Sequence, residues 1–414
     1  MVTLSDKLKS LGVKVGARDL PPPQARNPFA IEEIVAGQLH ATAFGQAFVV
    51  ETVYTPEYRH GRAGLPLTAS LETIADWARD ARLARSGPGG LLFLDTETTG
   101  LAGGTGTYAF LIGIGRFEGD VFRLAQIFMR DPIEEPAVLA ALGERLQSPV
   151  ALVTFNGKAF DVPLLNARYI TNAHPTPFPS LPHLDLLPLA RRLWRERLES
   201  RALSSLEVHI LGAQRTDEDI PGWLIPQMYF DYLRSKDARP LKRVLYHNAM
   251  DVLAMAALLN HVAQMLADPM SFAVEHGLDL IAIAKLFEDL GRLDEAVQLY
   301  HRGLESEIPE ESFRQTMQRL ALVHRRRGEM ASAVELWRGA AGTRQVYAFV
   351  ELAKYYEHQV RDYAEAVRWT RDALTVVCAP GSPLRLRAEW QADLEHRLAR
   401  LEKRKTRNSE APRA

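Results

Sequence analysis

The chain has 414 residues, with 50 Lys and Arg against 51 Asp and Glu for a net charge of −1, 47% hydrophobic residues and one cysteine, Cys378. A near-neutral balance shows no global attraction to nucleic acid, although a local basic lining does not require one, and a single cysteine excludes a disulfide framework and a cysteine-based zinc site. The start, MVTLSDKLKSLG, lacks the apolar core of a signal peptide, and no apolar run approaches the ~20 residues of a membrane span, so a cytoplasmic protein with no membrane partner is expected.

Residues 1–90 read as an N-terminal extension packing on the domain that follows. Spacing predicts a short amphipathic helix over 4–11, an extended linker at Pro21, Pro22 and Pro23, a strand over 48–54, a turn over 58–64 and a helix over 71–83. His40 and His60 are single histidines, read as structural or solvated.

Residues 91–101, LLFLDTETTGL, are an apolar strand run carrying Asp95 and Glu97. Residues two apart on a strand share a face, so the two carboxylates lie side by side. They are either two solvated acids at a strand end or half of a site for a hard divalent cation, which would relieve their repulsion. The glycines at Gly103, Gly104 and Gly106 match neither a P-loop nor a dinucleotide fingerprint. Strands are predicted over 108–117 and 121–129, joined by a turn at Gly119, then an amphipathic helix over 135–146 and a strand over 150–155. Three antiparallel strands, a helix and a returning strand make an α/β arrangement with a mixed sheet flanked by helices.

Two more acidic features follow. Asn156 and Gly157 form a tight turn after the last strand, and Asp161 sits in the first turn of the next helix. A carboxylate there is favoured by the helix dipole, and the position lies beyond the carboxyl end of a strand, where sites gather in open α/β sheets. Asp185 reads as a helix cap. Arg191, Arg192, Arg195, Arg197 and Arg201 surround Trp194 on a helix over 186–198, a solvated charged face or a phosphate-tracking one. A helix is predicted over 203–211, and Asp217, Glu218 and Asp219 lie in a turn-rich loop and read as exposed acids. His247 and Asp251, four apart on a helical pattern, share a face.

Asp95, Glu97, Asp161 and Asp251 together offer an all-oxygen donor set suited to two hard cations, with His247 beside them as a base. Two such ions, about 3.5–4 Å apart, clamp the attacking and leaving oxygens in phosphodiester cleavage. The stretch DTETTGL at 95–101, Asn156 with Asp161, and His247 with Asp251 resemble the motifs of the DEDD exonucleases of the RNase H-like superfamily over about residues 90–265. More narrowly, Asp185-Leu186-Leu187, Asp219-Ile220-Pro221-Gly222, Ile225-Pro226 and His247-Asn248 resemble the bacterial YprB-type exonucleases, a group that includes mitomycin repair factor B. The resemblance implies 3′-to-5′ hydrolysis of a nucleic acid (DNA favoured) and two Mg²⁺ or Mn²⁺ held by Asp95, Glu97, Asp161 and Asp251. It also implies a superfamily 2 helicase partner in DNA repair, and contacts of Thr98, Leu101 and Asn156 with a single-stranded 3′ end. The third motif departs from the family: Tyr246 and His247 each occupy the place that holds the other residue in the alternative form of the motif. His247 is the favoured base because imidazole titrates near neutrality and a phenol does not.

From about residue 278 the pattern is helical and repeats. The stretches GRLDEAV at 291–297, GEMASAV at 328–334 and DYAEAV at 362–367 place Ala296, Ala333 and Ala366 near the ~34-residue period of tetratricopeptide repeats. The expected organisation is an RNase H-like domain over 91–268 and a repeat array over 269–405 that binds a protein partner. A capping helix is expected over 383–401, residues 403–414 are polar, and a disordered tail is expected over 406–414.

Overall fold

The computed structural model describes residues 27–100, 106–146 and 151–410. The expected helix at 4–11, the linker prolines and Leu101 lie outside them. Among the described residues there are nine strands: β1 (Gln38–Thr42), β2 (Gly45–Tyr54), β3 (Arg59–His60), β4 (Ala63–Gly64), β5 (Leu91–Thr98), β6 (Ala109–Glu118), β7 (Val121–Phe128), β8 (Ala151–Thr154) and β9 (His183–Asp185). Seven form one sheet in the order β1-β2-β7-β6-β5-β8-β9. β5, β6, β7 and β2 are joined antiparallel, whereas β5 and β8 run parallel, with Leu91 opposite Ala151. The sheet is therefore mixed, as the strand–strand–strand–helix–strand pattern predicts.

Among the described residues, the helices of nine or more residues are α1 (Glu135–Arg145), α2 (Asp161–Thr171), α3 (Leu186–Trp194), α4 (Ile225–Ser235), α5 (Leu241–Ala267), α6 (Gly277–Asp289), α7 (Leu293–Leu304), α8 (Glu310–Arg326), α9 (Met330–Gly342), α10 (Val346–Tyr355), α11 (Tyr363–Val377) and α12 (Leu384–Glu410). By length and composition α5 could cross a membrane, yet 78% of its apolar window is buried in the protein, as in a core helix.

The chain divides into two compact units that do not follow its linear order: 1–58 with 88–181 and 214–255, and 59–87 with 182–213 and 256–414. The described residues of the expected extension are thus shared between the units, 27–58 and 88–90 in the first and 59–87 in the second. In the first unit, Phe48, Leu92, Leu94, Phe110, Ile112, Ile127, Phe128 and Tyr229 belong to one apolar core, with Phe110 stacked on Tyr229 at 4.0 Å between centroids.

In the second unit the predicted helix over 71–83 is broken. It ends at Ala78 because Arg79 turns left-handed, with φ 56°, and a separate turn spans Arg82–Arg85. The turn at 58–64 holds the two-stranded hairpin β3–β4. Asp185 caps α3, accepting from the Leu187 amide at 3.1 Å. The arginines beside it are partly committed: Arg192 pairs with Asp289 at 2.5 Å and Arg197 with Asp279 at 2.8 Å. His60 is buried against Glu207 at 2.8 Å, a structural role; in the first unit His40 meets Glu144 at 2.6 Å.

Beyond α5 the helices stack in sequence, α6 on α7, α8 on α9, and α10 on α11, with α12 against α11. Ala296, Ala333 and Ala366 are fully buried at the helix crossings, where a larger side chain would hold the backbones apart. Gly291 and Gly328 turn the chain within the first two pairs with φ of 79° and 81°; the third copy puts Arg361 in the same left-handed conformation, with φ 62°. α12 runs to Glu410, past Lys403 and past the expected start of a disordered tail at 406.

Candidate metal-dependent nuclease site

Asp95 and Glu97 lie in the last four residues of β5, opposite Gly113 and Leu111 of β6. Gly113 is what lets α5 come close: a Cβ there would lie 2.4 Å from Asn248 Oδ1. That approach seats Asn248, itself fully buried, so that its Nδ2 donates to Asp95 Oδ2 at 2.8 Å. Gln126 on β7 donates to Asn248 Oδ1 at 2.9 Å and to the Leu245 carbonyl at 2.8 Å, which fixes the amide of Asn248 as the donor toward Asp95. The chain Gln126–Asn248–Asp95 is a polar network that runs from two buried amides to the half-buried carboxylate.

Asp161 is the first residue of α2. The preceding turn needs Asn156 in the left-handed conformation, with φ 68°, and needs glycine at 157, where a Cβ would lie 2.5 Å from Thr154 Cβ. Thr96, between the two strand acids, donates its hydroxyl to Asp161 Oδ1. Thr98 is turned to the Gly100 carbonyl at 2.9 Å. A cleft of 170 Å³ opens here, lined by Thr96, Thr98, Phe160, Asp161 and Leu164.

α5 supplies the rest. His247 Nε2 stands 3.6 Å from Asp251 Oδ2, and His247 Nδ1 stands 2.7 Å from Asp219 Oδ1. Arg215 donates to Asp251 and places its other nitrogen 3.4 Å from His247 Nδ1 and 3.5 Å from Asp219. A carboxylate at 2.7 Å accepts a hydrogen bond, so Nδ1 carries the proton and Nε2 is left as the acceptor; the longer Arg215 approach is a contact. Arg243 donates to the carbonyls of Asp217, Glu218 and Asp219, and the Tyr246 hydroxyl accepts from the Thr216 amide at 3.2 Å. Arg243, Tyr246 and His247 lie on one helix face by their spacing of three and four. Tyr246 is thereby used to clamp the loop, and His247 faces the acids.

The sequence does not single out Arg215, and it marks Asp219 only through the Asp219-Ile220-Pro221-Gly222 resemblance and as one of three loop acids, with no role assigned to it. A cation four residues before an acid in an irregular loop has no periodicity to mark it.

The four carboxylates feel one another. Asp95 is held well above the usual carboxylate range, first by burial and then by Asp251 and Asp161, with Asn248 and Arg215 pulling down. Glu97 is raised likewise by burial, Asp95, Asp251 and Asp161. Among the described residues no three His, Cys, Asp or Glu side chains stand arranged to hold an ion as they are; Asp251 is engaged by Arg215 and Asp161 by Thr96. The donor chemistry nevertheless fits a hard cation: four carboxylates, no thiolate, and mutual repulsion that a divalent charge relieves. The set does not fit a soft metal.

A family model described as the RNase H superfamily matches residues 92–263, and a tetratricopeptide repeat model matches residues 280–311. Over 290 residues the chain is 32% identical to the uncharacterized protein YprB of Bacillus subtilis (strain 168), which covers 69% of each chain.

Proposed function

Because this chain belongs to the YprB family, with an RNase H superfamily domain and a tetratricopeptide repeat, we propose that it is a 3′-to-5′ exonuclease of the DEDD type acting on single-stranded nucleic acid ends. RNase H-like nucleases act on nucleic acid and use divalent metal ions. The observation that carries the reading is the meeting of Asp95, Glu97, Asp161 and Asp251 in one electrostatically coupled cluster beside an imidazole held by Asp219.

Asp95, Glu97, Asp161 and Asp251 would hold two Mg²⁺ or Mn²⁺, whose chemistry is to acidify a water and to offset charge on the scissile phosphate. His247 takes the water's proton at Nε2, since Nδ1 is occupied with Asp219. Asp219 fixes the tautomer and the ring plane. The cleft beside Thr98 and Asp161 receives the terminal nucleotide, with Asn156 and Leu101 as further contacts; Leu101 lies outside the described residues. DNA is the favoured substrate, and the resemblance to mitomycin repair factor B supports a cytoplasmic repair role beside a superfamily 2 helicase. The repeats over α6–α12 are the surface for a protein partner.

The test uses 5′-labelled single-stranded DNA, duplex DNA and RNA with Mg²⁺ or Mn²⁺. The expected product is a ladder shortened from the 3′ end on single-stranded DNA, absent with Asp95→Asn and with His247→Ala. Immediate release of the label as a mononucleotide would reverse the polarity. A ladder on RNA alone would make the protein an exoribonuclease, and no degradation of any substrate would favour a scaffold that binds a partner through its repeats.

A further inference from the structure

A second cavity, of 340 Å³, lies wholly within the second unit and shares no residue with the acidic site. Its volume falls in the range of small-molecule sites, about 300–1,000 Å³. One wall is the hairpin β3–β4, which brings Arg59 and Arg62. The hairpin is seated on the turn that follows Leu206: Gly61 is left-handed at φ 64°, a Cβ there would lie 2.2 Å from the Leu211 carbonyl oxygen, and the Arg62 amide donates to that carbonyl at 2.7 Å. A second wall carries Trp194 and Arg197, and a third is the end of α5 with His261.

The charges do not cancel. Arg59, Arg62 and Arg197 face Glu275 and Asp279, one positive charge in excess before any histidine is counted. Asp279 is committed to Arg197 at 2.8 Å, while Glu275 stands 3.6 Å from Arg62 at an exposed rim. His261, edge-on to Phe272 at 5.2 Å, is pushed down to about 4 by burial and then by Arg62 and Arg197. The imidazole is therefore neutral at physiological pH, and it sits in a positive field.

From this cavity, its guanidinium excess and the half-buried ring of Phe272, we propose a binding site for a phosphate ester of nucleotide size. Guanidinium forks match phosphate oxygens, the Phe272 ring accepts the organic part, and the His261 imidazole can donate to the anion without carrying charge. The source is either a free nucleotide or the phosphate of a nucleic-acid strand.

The experiment needs no catalysis. The full-length protein in EDTA is titrated by calorimetry with inorganic phosphate, a nucleoside 5′-monophosphate and a 5′-phosphorylated single-stranded oligonucleotide, and the His261 ring resonance is followed against pH. The expected results are binding of the monophosphate more tightly than inorganic phosphate, an upward movement of the His261 titration when it binds, and about tenfold weaker binding in Arg62→Gln, a loss of one charge-assisted contact. Arg62 is exposed but also donates to the Ile210 carbonyl at 3.2 Å, so an unchanged melting temperature of the variant is read alongside the titration. Tighter binding of the oligonucleotide than of the monophosphate assigns the strand as source, and the reverse assigns the free nucleotide. No binding, binding unchanged in Arg62→Gln, or equal binding of inorganic phosphate overturns the proposal, while leaving the nuclease reading untouched.

Discussion

Asp219 Oδ1 accepts from His247 Nδ1 at 2.7 Å, joining a loop and a helix 28 residues apart in sequence. The bond decides which imidazole nitrogen faces the acids, so it converts a helix histidine into an oriented base. Replacing Asp219 by Asn leaves the loop held by Arg243 but offers Nδ1 a weaker and ambiguous partner. The expected outcome is a fall in kcat of about 100-fold, the scale of misplacing a reacting group by ~1 Å, with KM little changed. Steady-state kinetics on single-stranded DNA checks it; an equal rise in KM would point instead to a role in binding.

Tyr246 and His247 separate by their partners. His247→Ala should lower kcat by about 10²–10⁴-fold, the usual worth of a general base. Tyr246→Phe loses only the acceptor for the Thr216 amide and should cost about 0.5–1.5 kcal/mol of stability, with activity largely kept. Activity loss confined to Tyr246→Phe would move the base to the phenol.

The raised carboxyls give the site a pH signature. A carboxyl whose folded pKa lies above its unfolded one binds more protons in the native protein, so stability is lost as pH rises through the window between the two. For Asp95 and Glu97 that window opens at the usual carboxylate range and extends upward. In EDTA the melting temperature should therefore fall as pH rises above that range, and Asp95→Asn should flatten the fall. Adding Mg²⁺ or Mn²⁺ should restore stability, by about 2.7 kcal/mol at a hundredfold excess over Kd, and more at higher pH because protons and metal compete for the same oxygens. A metal-independent profile would argue against the donor set.

Gly113 tests the seating of α5. Gly113→Ala forces a Cβ to within 2.4 Å of Asn248 Oδ1, where the amide is clamped between Gln126 and Asp95. Overpacking of this kind costs about 1–3 kcal/mol, readable as a lower denaturant midpoint, and it should reduce activity by displacing Asp95's partner. Unchanged stability would mean that the helix can shift freely.

Arg361 occupies the left-handed turn that glycine fills in the other two repeat copies. Arg361→Gly should stabilise the repeat region by about 0.5–1 kcal/mol, since the penalty for a Cβ in this conformation, roughly 1–2 kcal/mol, exceeds the added freedom of the unfolded chain. Thermal unfolding reads the sign directly.

Much of the architecture was legible because it is written in short-range periodicity. The apolar run before Asp95, the hairpin turn at Gly119, the cap at Asp185 and the buried alanines of the repeats are each signalled within a few residues of themselves. The candidate acids were also legible by type and placement on strand or helix. What only the tertiary structure decided is who holds them. Asn248 reaches Asp95 across 153 residues, Arg215 reaches Asp251 across 36, and Asp219 reaches His247 across 28. The same holds for the cavity, whose walls come from three stretches far apart in the chain. Periodicity reports which face of an element is apolar, whereas the partner of a polar group is set by which backbones can approach, and here that turns on the missing side chain at Gly113.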